Sequence, residues 1–330
     1  MEQTKKHTIS FIIISMLLLI LGMFLAISLG AADIGISEII HSIFNKGEEL
    51  ETLLIRDVRI PRALCVLFTG GILGVTGAMI QGVTRNPIAE PSLLGISQGA
   101  TLVISIFYAA GITINTKNVM MASLIGAFLS GIIVIGFLKG KANNSSMSKL
   151  LLAGTSMSTF FISLTTIIGL LSNRSQFIAF WVSGGFRSVT WSDFNLIFIV
   201  SIITLIIVMI LAKKINVLSL GDDVAIGLGI SPEKTRFTVL IIMIPMCAAA
   251  VAVGKNIPFL GLFIPLIVRR FIGEDYRKII PCSFLLGAVV LTFGDILARM
   301  LYTPYEVPIG IFTSLVGIPF LIIMARKERG

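Results

Sequence analysis

Long uncharged apolar runs divide this chain into ten candidate membrane-spanning segments. A spanning helix needs about 20 apolar residues at a rise of 1.5 Å each, and charges and turn residues separate ten stretches near that length. They lie near 9–29, 63–83, 92–111, 119–138, 150–171, 194–212, 236–254, 258–272, 279–298 and 307–325. The pattern predicts an all-α membrane protein with about ten transmembrane helices.

The first and eighth segments need separate interpretation. The first is longer than the apolar core of a typical signal peptide and lacks a clear A-x-A cleavage signal, so we expect a retained span. The eighth has a short uncharged core that contains Pro258 and Pro265. Irregular backbone is tolerated at membrane depth only where protein covers it, so this segment predicts a broken or re-entrant element.

The distribution of Lys and Arg predicts the topology. With the N-terminus inside, seventeen basic residues fall on the cytoplasmic side and nine outside, which agrees with the positive-inside rule. An even number of spans returns the C-terminus to the same side. We therefore expect a multi-pass membrane protein with both termini cytoplasmic, and a single transmembrane domain over 1–330.

Composition agrees with a membrane protein and excludes other classes. The chain is 55% hydrophobic and 13% charged, whereas soluble proteins are about 45–50% apolar and about 25% charged. The net charge of +9 follows from the topology, and no clustered basic face or module indicates nucleic-acid binding. Cys65, Cys247 and Cys282 lie singly in apolar runs and both histidines lie outside such runs, so no metal site is predicted.

Small and polar residues are frequent within and after the second predicted segment. Gly70, Gly74 and Ala78 recur at four-residue spacing, which allows close helix packing and fits a packing seam or the wall of a pathway equally. The stretch that follows, QGVTRNPIAEPSLLGISQGA, turns sharply at its two prolines. Its Gln81, Asn86, Glu90 and Gln98 favour a protein-lined or watery interior over a lipid face.

The segment 219–237, SLGDDVAIGLGISPEKTRF, is too polar to span and too apolar for a solvated loop. Its spacing predicts two short helices with an apolar face, which either binds a cytoplasmic partner or packs on the membrane domain. The pair Lys234 and Thr235 resembles the end of a Walker A motif. Glu233 stands where that motif needs glycine, so this loop does not predict ATP binding.

Five arginines lie on the outer side, against the positive-inside trend: Arg56, Arg59, Arg62, Arg187 and Arg299. The planar guanidinium suits bidentate binding of carboxylates, so they predict a ligand or partner with acidic groups. Arg299 also follows Asp295 by four residues, and an ion pair within one helix is the alternative.

Several stretches of the sequence resemble the FecCD-type permeases of ABC importers, which take up ferric siderophores, haem and cobalamin. The matching stretches are RIPRAL (59–64), GVTGAMIQGVTRNPIAEPSLLGISQGA (74–100), KLLLAGTSMS (149–158), FWVSGGF (180–186), LGDDVAIGLGI (220–230), PFLGLFIPLIVRRFIGEDYRKIIP (258–281) and DILARMLYTPYEVPIGIFTSLVGIPF (295–320). They follow one another in order along nearly the whole chain. One departure is Pro265-Leu266, where the family often has Pro-His.

The resemblance implies a type II ABC importer permease fold and a set of partners. These are a second permease subunit, identical or paralogous, two cytoplasmic ABC ATPases, and an extracytoplasmic substrate-binding protein or lipoprotein. ATP and Mg would be bound by the ATPases, so no cofactor is expected on this chain. The resemblance assigns docking of the binding protein to Arg59, Arg62 and Arg299, and coupling to the ATPase to 219–234, with Leu220, Gly221, Asp222, Ala225, Leu228 and Gly229.

The function that follows is alternating access powered by the partner ATPases, with no bond chemistry on this chain. A ferric siderophore is the expected cargo, with haem or cobalamin as alternatives. Met79, Gln81 and Met157 are candidate pathway residues. An ion-coupled secondary transporter would use Asp295 as its intramembrane carboxylate, and a membrane enzyme would need a convergent catalytic site that the sequence does not display.

Overall fold

The structure, a computed structural model, describes residues 2–30, 50–113, 115–138, 147–303 and 305–327, and within these ranges its regular elements are all helices. The α-helices are α1 (Glu2–Ser28), α2 (Leu50–Leu53), α3 (Ile60–Thr84), α4 (Ile96–Ala109), α5 (Thr116–Leu138), α6 (Met147–Leu171), α7 (Ser175–Ser183), α8 (Trp191–Ser219), α9 (Asp222–Gly227), α10 (Pro232–Gly254), α11 (Leu260–Ile272), α12 (Tyr276–Met300) and α13 (Ile309–Lys327). The amphipathic stretch and acidic group predicted around 30–51 lie largely outside the described residues.

Helix α3 is the central element of the bundle. A π-helical turn, Leu54–Arg59, joins α2 to α3, so the chain is helical without a break from Leu50 to Thr84. Pro61 lies in the first turn of α3, inside this continuous helix, and its missing N–H removes one backbone hydrogen bond to the preceding turn. Helices α8, α10, α11 and α12 surround α3, and nearly all of its side chains are buried.

The two ends of α3 define two ends of the bundle, which we name by one residue at each. At the Arg62 end, Arg62 in the first turn of α3 binds Asp295 near the end of α12. At the Asp222 end, Arg236 of α10 binds both Asp222 of α9 and the Val83 carbonyl in the last turn of α3. The 25 residues of α3 separate these ends by about 37 Å, enough to cross a bilayer core of about 30 Å.

The first residues of α1 and the last residues of α13 lie at the Asp222 end. Arg59 donates to the Ile27 carbonyl, which places the end of α1 at the Arg62 end. Helix α13 begins just after Val307, whose amide donates to Ala298 of α12, and then runs along α11 toward the Asp222 end. The beginning of α1 and the end of α13 therefore lie on the same side of the bundle.

Within the described residues, seven helices are long and apolar enough to cross a membrane by length and composition, so the chain is a multi-pass membrane protein. Each of the ten predicted segments contains a helix, but α4, α11 and the apolar part of α13 are shorter than a full span. The predicted span 92–111 instead contains a 3-10 turn, Pro91–Leu94, before α4.

Helices α4 and α11 begin inside the bundle and not at its surface. Phe259, in left-handed conformation with φ 67°, precedes α11. The Gln81 amide of α3 donates to the Leu262 carbonyl at 2.9 Å, about one turn before α3 ends. The eighth segment is thus a short helix largely covered by protein, as predicted, and its broken or re-entrant character stays a prediction. The Glu90 carboxylate, before α4, is buried and lies near the Phe259 backbone at the start of α11.

The glycines of α3 form a packing seam against α11 and α12. A Cβ at Gly74 would overlap the Ser283 carbonyl of α12, and a Cβ at Gly77 would overlap the Gly261 backbone of α11. Residues without a side chain let helix backbones approach this closely. The packing-seam interpretation of these small residues is therefore confirmed.

Candidate functional site

Three arginines and two carboxylates meet at the Arg62 end. Arg62 donates to Asp295 through Nε and Nη2, at 2.8 Å for the shortest bond, and to Glu306 through Nη1 and Nη2, at 2.6 Å for the shortest bond. Arg299 lies 3.2 Å from Asp295, and Arg187 lies 3.6 Å from Glu306. We call these five residues the arginine–carboxylate cluster. It joins the beginning of α3, the end of α12 and the approach to α13 through charge-assisted hydrogen bonds.

Arg59 and Arg299 also cap the end of α1. Arg59 donates to the carbonyls of Ile27 and Ser28, each at 2.7 Å. Arg299 donates to the Ala26 carbonyl at 3.0 Å. The last carbonyls of a helix have no partner within it and carry partial negative charge, so two guanidinium groups stabilise this terminus.

The structure brings together the three arginines that the sequence assigned to docking. The ion pair predicted from the spacing of Asp295 and Arg299 is present. However, Arg59 is only 8% exposed and Arg62 only 7%, whereas the side chain of Arg187 at the cluster rim is 53% exposed. A role of Arg59, Arg62 and Arg299 in docking stays a prediction. Arg187 is the exposed arginine of the cluster, and a partner can contact it directly.

Segment 219–234 forms a short helix, α9, and the beginning of α10. Gly221 precedes α9 at φ 134° and Gly229 follows it at φ 75°, conformations that side chains disfavour. The prediction of two short helices is wrong, because the second one is the first turn of α10, which begins at Pro232 after the N-cap Ser231. The segment is therefore compact and continuous with a membrane helix.

Asp222 anchors α9 to two membrane helices. Its carboxylate receives two hydrogen bonds from Arg236 of α10, at 2.8 and 3.1 Å. It also lies 3.1 Å from Arg85, which follows α3. Ala225, on the side of α9 that faces the bundle, is fully buried. These two predicted coupling residues therefore hold the segment on the bundle.

Apolar side chains in and beside α9 are exposed. Leu220 and Leu228 were predicted as coupling residues, and they are 70% and 64% exposed. Ile226, which the sequence interpretation did not select, is 62% exposed, and Val224 is 44% exposed. Four exposed aliphatic side chains in one short segment are typical of a surface that binds a partner.

A neighbouring junction at the Asp222 end joins α8 to α12. The Asn216 side chain donates to Asp275 at 2.7 Å and accepts the Tyr276 amide at 2.6 Å. Although burial acts to raise it, hydrogen bonds from Arg277 and Asn216 hold the pKa of Asp275 below its ordinary value. The N-cap of α12 therefore carries a carboxylate that stays ionised.

The three predicted pathway residues lie in different surroundings. Met79 is fully buried and Gln81 is 1% exposed, because α3 is covered on all sides and Gln81 binds the backbone of α11. Neither side chain reaches a surface of this structure. Met157 of α6 is partly exposed, and its helix carries the better candidate surface.

One exposed face of α6 carries a row of hydroxyl groups that the sequence interpretation missed. Ser156, Thr159, Ser163 and Thr166 are all exposed and recur every three or four residues. Each donates to the backbone carbonyl four residues earlier, at 2.9 to 3.1 Å. The helical periodicity of these residues was the available signal.

An apolar groove lies near α6, between the end of α7 and α13. Its volume is about 540 Å³, and Val182, Pro258, Ile311 and Leu315 are among the residues that line it. Large aliphatic side chains of α13 remain exposed beside it. Helices α6, α7 and α13 thus present an extended surface without a covering helix in the described part of the chain.

Comparison with known proteins identifies the family. The permease protein FhuB of the Bacillus subtilis iron(3+)-hydroxamate import system is 40% identical over 319 residues, which cover 96% of this chain and 83% of that protein. The Fe(3+)-citrate import system permease protein YfmD of the same organism is 34% identical over 331 residues, covering 99% and 98%.

A solved structure has the same fold. It is described as a metal-chelate type ABC transporter in an inward-facing conformation, and it superposes with a TM-score of 0.82 at 25% identity over 95% of this chain and 97% of that chain. The model of the FecCD transport family matches residues 18–327. This match covers nearly all of the helical bundle, and the chain belongs to the FecCD transport family.

Proposed function

We propose that this chain is the permease subunit of an ATP-driven ABC importer that moves a ferric siderophore across the cytoplasmic membrane of a bacterium. The observation that carries the proposal is α9, an exposed apolar helix held by ion pairs to two membrane helices. In a member of the FecCD transport family, this surface suits a partner that delivers force. The chain itself then performs no bond chemistry, and ATP and Mg bind to the partner.

The proposed assembly contains two permease subunits, two cytoplasmic ABC ATPases and an extracytoplasmic binding protein or lipoprotein. The Asp222 end faces the cytoplasm in this proposal, since it carries α9 and receives both terminal helices. The chain is then one transmembrane domain over 1–330 with about ten membrane segments, in the type II permease fold. The shorter helices α4, α11 and α13 complete the count, and α4 and α11 begin as elements enclosed by protein.

The Arg62 end is the proposed docking surface for acidic groups of the binding protein. Among the described residues, the cluster and Arg59 place four arginines against two carboxylates, so this end keeps a net positive charge. Arg187 is the exposed contact. Arg59, Arg62 and Arg299 supply the positive field, which raises the rate of encounter with an acidic partner.

The proposed pathway runs along the hydroxyl face of α6, between this chain and the second permease. A siderophore is oxygen-rich and large, so its pathway requires polar but uncharged walls that bind it weakly. Ser156, Thr159, Ser163 and Thr166 supply such a surface, with Met157 beside them. The buried Met79 and Gln81 belong to the wall only if α11 moves away from α3.

Ferric hydroxamates are the first cargo to test. The FhuB protein, 40% identical to this chain, takes its name from iron(3+)-hydroxamate import. Haem and cobalamin remain the alternatives. An ion-coupled mechanism finds no support, because Asp295, its candidate carboxylate, is held by Arg62 and Arg299 at the Arg62 end.

The test is uptake of radiolabelled ferric hydroxamate by iron-limited cells that lack their own permease and express this chain with its ATPase and binding protein. We expect uptake by the wild type and its loss in the double variant I226E/L228E, which places charge on the exposed face of α9. ATPase co-purification is expected to be lost with it. The variant K213E, at an exposed position of the same end on α8, is the matched control.

The outcomes separate cargo from mechanism. If haem or cobalamin is taken up and ferric hydroxamate is not, the importer proposal stands with another cargo. Normal uptake and normal ATPase recovery in I226E/L228E would contradict the role of α9. Uptake that persists without any ATPase would refute an ATP-driven importer.

A further inference from the structure

Helix α7 is short, and residues in unusual backbone conformations flank it. Asn173, just before it, is left-handed at φ 55°, and Gly184 and Gly185, just after it, have φ 76° and 151°. Such residues can absorb a change of direction between two rigid segments. Helix α7 is therefore a nine-residue unit between two hinges, at the Arg62 end of the bundle.

The end of α7 is tied to the end of α10 by backbone hydrogen bonds. The Asn256 amide donates to the Trp181 carbonyl, and the Gly185 amide donates to the Gly254 carbonyl, both at 3.1 Å. A Cβ at Gly184 would overlap the Asn256 carbonyl. The two chain segments therefore lie backbone against backbone.

Lys255 reinforces this contact through its side chain. It is only 6% exposed, and its ammonium donates to the Gly185 carbonyl at 2.8 Å. The same nitrogen lies 4.8 Å from the centre of the Phe180 ring and 5.3 Å from that of Trp181. A buried cation that binds a carbonyl and two aromatic rings holds a specific geometry.

Helix α10 connects this contact to the coupling segment. Arg236, one turn into α10, carries the paired hydrogen bonds to Asp222 of α9. Lys255 directly follows the other end of the same helix, about 28 Å away by helical rise. Helices α3, α5 and α8 pack against α10, and Ser123 of α5 binds the Ala248 carbonyl within it at 2.7 Å. A displacement of α9 therefore acts on α10, a helix that its neighbours hold in place.

We propose that α10 passes the movement of the coupling segment to α7, and that Lys255 is the positioning residue that ties α7 to this helix. The inference rests on the proposed function, because the movement originates in an ATPase bound at α9. Helix α7 also borders the apolar groove along α13, through Val182 and Ser183. Its displacement thus changes the width of this groove at the Arg62 end.

The test measures the reactivity of a cysteine on α7 in the assembled transporter. Gln176 is exposed on α7, and Gln176→Cys is labelled by a membrane-impermeant maleimide with and without ATP, Mg and vanadate. The natural cysteines, Cys65, Cys247 and Cys282, are buried, and the parent chain measures their background. We expect the labelling rate to change with nucleotide in the otherwise wild-type chain.

Variants at the two ends of α10 test the connection between the coupling segment and α7. Lys255→Met removes the donor, and we expect it to reduce the nucleotide-dependent change, while Lys255→Arg retains it. Asp222→Asn weakens the other end of the connection and is expected to reduce the change at Gln176, although about 28 Å of helix separates the two ends. If Lys255→Met does not insert, Asp222→Asn decides by itself.

Three results would overturn the inference. A nucleotide-dependent change in Lys255→Met equal to that of the wild type overturns the inference. So does a wild-type complex that retains its ATPase and transports, but shows no change at Gln176. A wild-type chain that recovers no ATPase instead refutes the proposed function, and the inference with it.

Discussion

At the scale of single residues, the arginines at the Arg62 end have a structural role before any docking role. Arg62 is covered by protein and binds Asp295 and Glu306 at once. Removing one partner of a buried ion pair leaves the other charge uncompensated, which is far more destabilising than loss of an exposed pair. Stability measurements can therefore separate the buried arginines of the cluster from its exposed one.

The first prediction compares Arg62→Ala with Arg187→Ala. We expect Arg62→Ala to lower the free energy of unfolding by roughly 3–5 kcal/mol, because Asp295 stays buried with a weaker partner. We expect Arg187→Ala, whose side chain is 53% exposed, to cost roughly 0–1 kcal/mol. Thermal unfolding of both purified variants in the same detergent gives the comparison. Equal stabilities would contradict the structural role of Arg62.

The sequence predicted one contact of this cluster and could not predict the others. Asp295 and Arg299 are four residues apart on one helix, so local spacing is enough to predict their ion pair. Arg62 and Asp295 are 233 residues apart, and only the packing of α3 against α12 brings them together. The same long-range packing buries Met79 and Gln81, which local sequence placed among pathway residues.

At the scale of elements, the glycine seam decides how closely α3 approaches its neighbours. Gly77 faces the backbone of α11, which cannot rotate away as a side chain can. Gly136 on α5 has no atom within 4 Å of the position of an added Cβ. The two glycines therefore make a matched pair, one in contact and one open.

The second prediction uses this pair. We expect Gly77→Ala to destabilise the bundle by roughly 1–3 kcal/mol, since overpacking forces the helices apart. Gly136→Ala is expected to be neutral or slightly stabilising, because alanine has the higher helix propensity. Membrane levels by immunoblot and thermal unfolding in detergent measure both. A Gly77→Ala protein as stable as Gly136→Ala would show that the seam yields without cost.

The apolar pattern predicted where helices occur better than where they begin. The run near 92–111 is uncharged throughout, yet Gly95 turns the chain at φ 75° and α4 begins only after it. Next to this turn, Ser158 of α6 donates to the Ser92 carbonyl, a contact between residues 66 positions apart. Pro258 did signal the start of the short eighth element, because proline limits a helix by local geometry, whereas α11 continues through Pro265.

At the scale of the whole molecule, exposed surface is the guide to partners. The described chain leaves apolar side chains exposed around α9 at the Asp222 end, and along the membrane helices α1, α6, α8 and α13. Sequence resemblance predicted the segment that contains the first surface, including Leu220 and Leu228, but did not select Ile226. It did not indicate the hydroxyl face of α6, since serine and threonine in an apolar run are visible as a face only when the buried side of the helix is known.

The third prediction tests that face in the whole transporter. The double variant T159V/S163A removes two hydroxyl groups with little change in volume, and both bonds lost are to the backbone of α6 itself. We therefore expect unchanged membrane levels and ATPase recovery, but slower uptake of ferric hydroxamate. Thr238→Val removes an exposed hydroxyl with the same backbone bond on α10, and it should transport normally. If both variants transport alike, cargo does not contact this face, and the pathway lies elsewhere on the exposed surface.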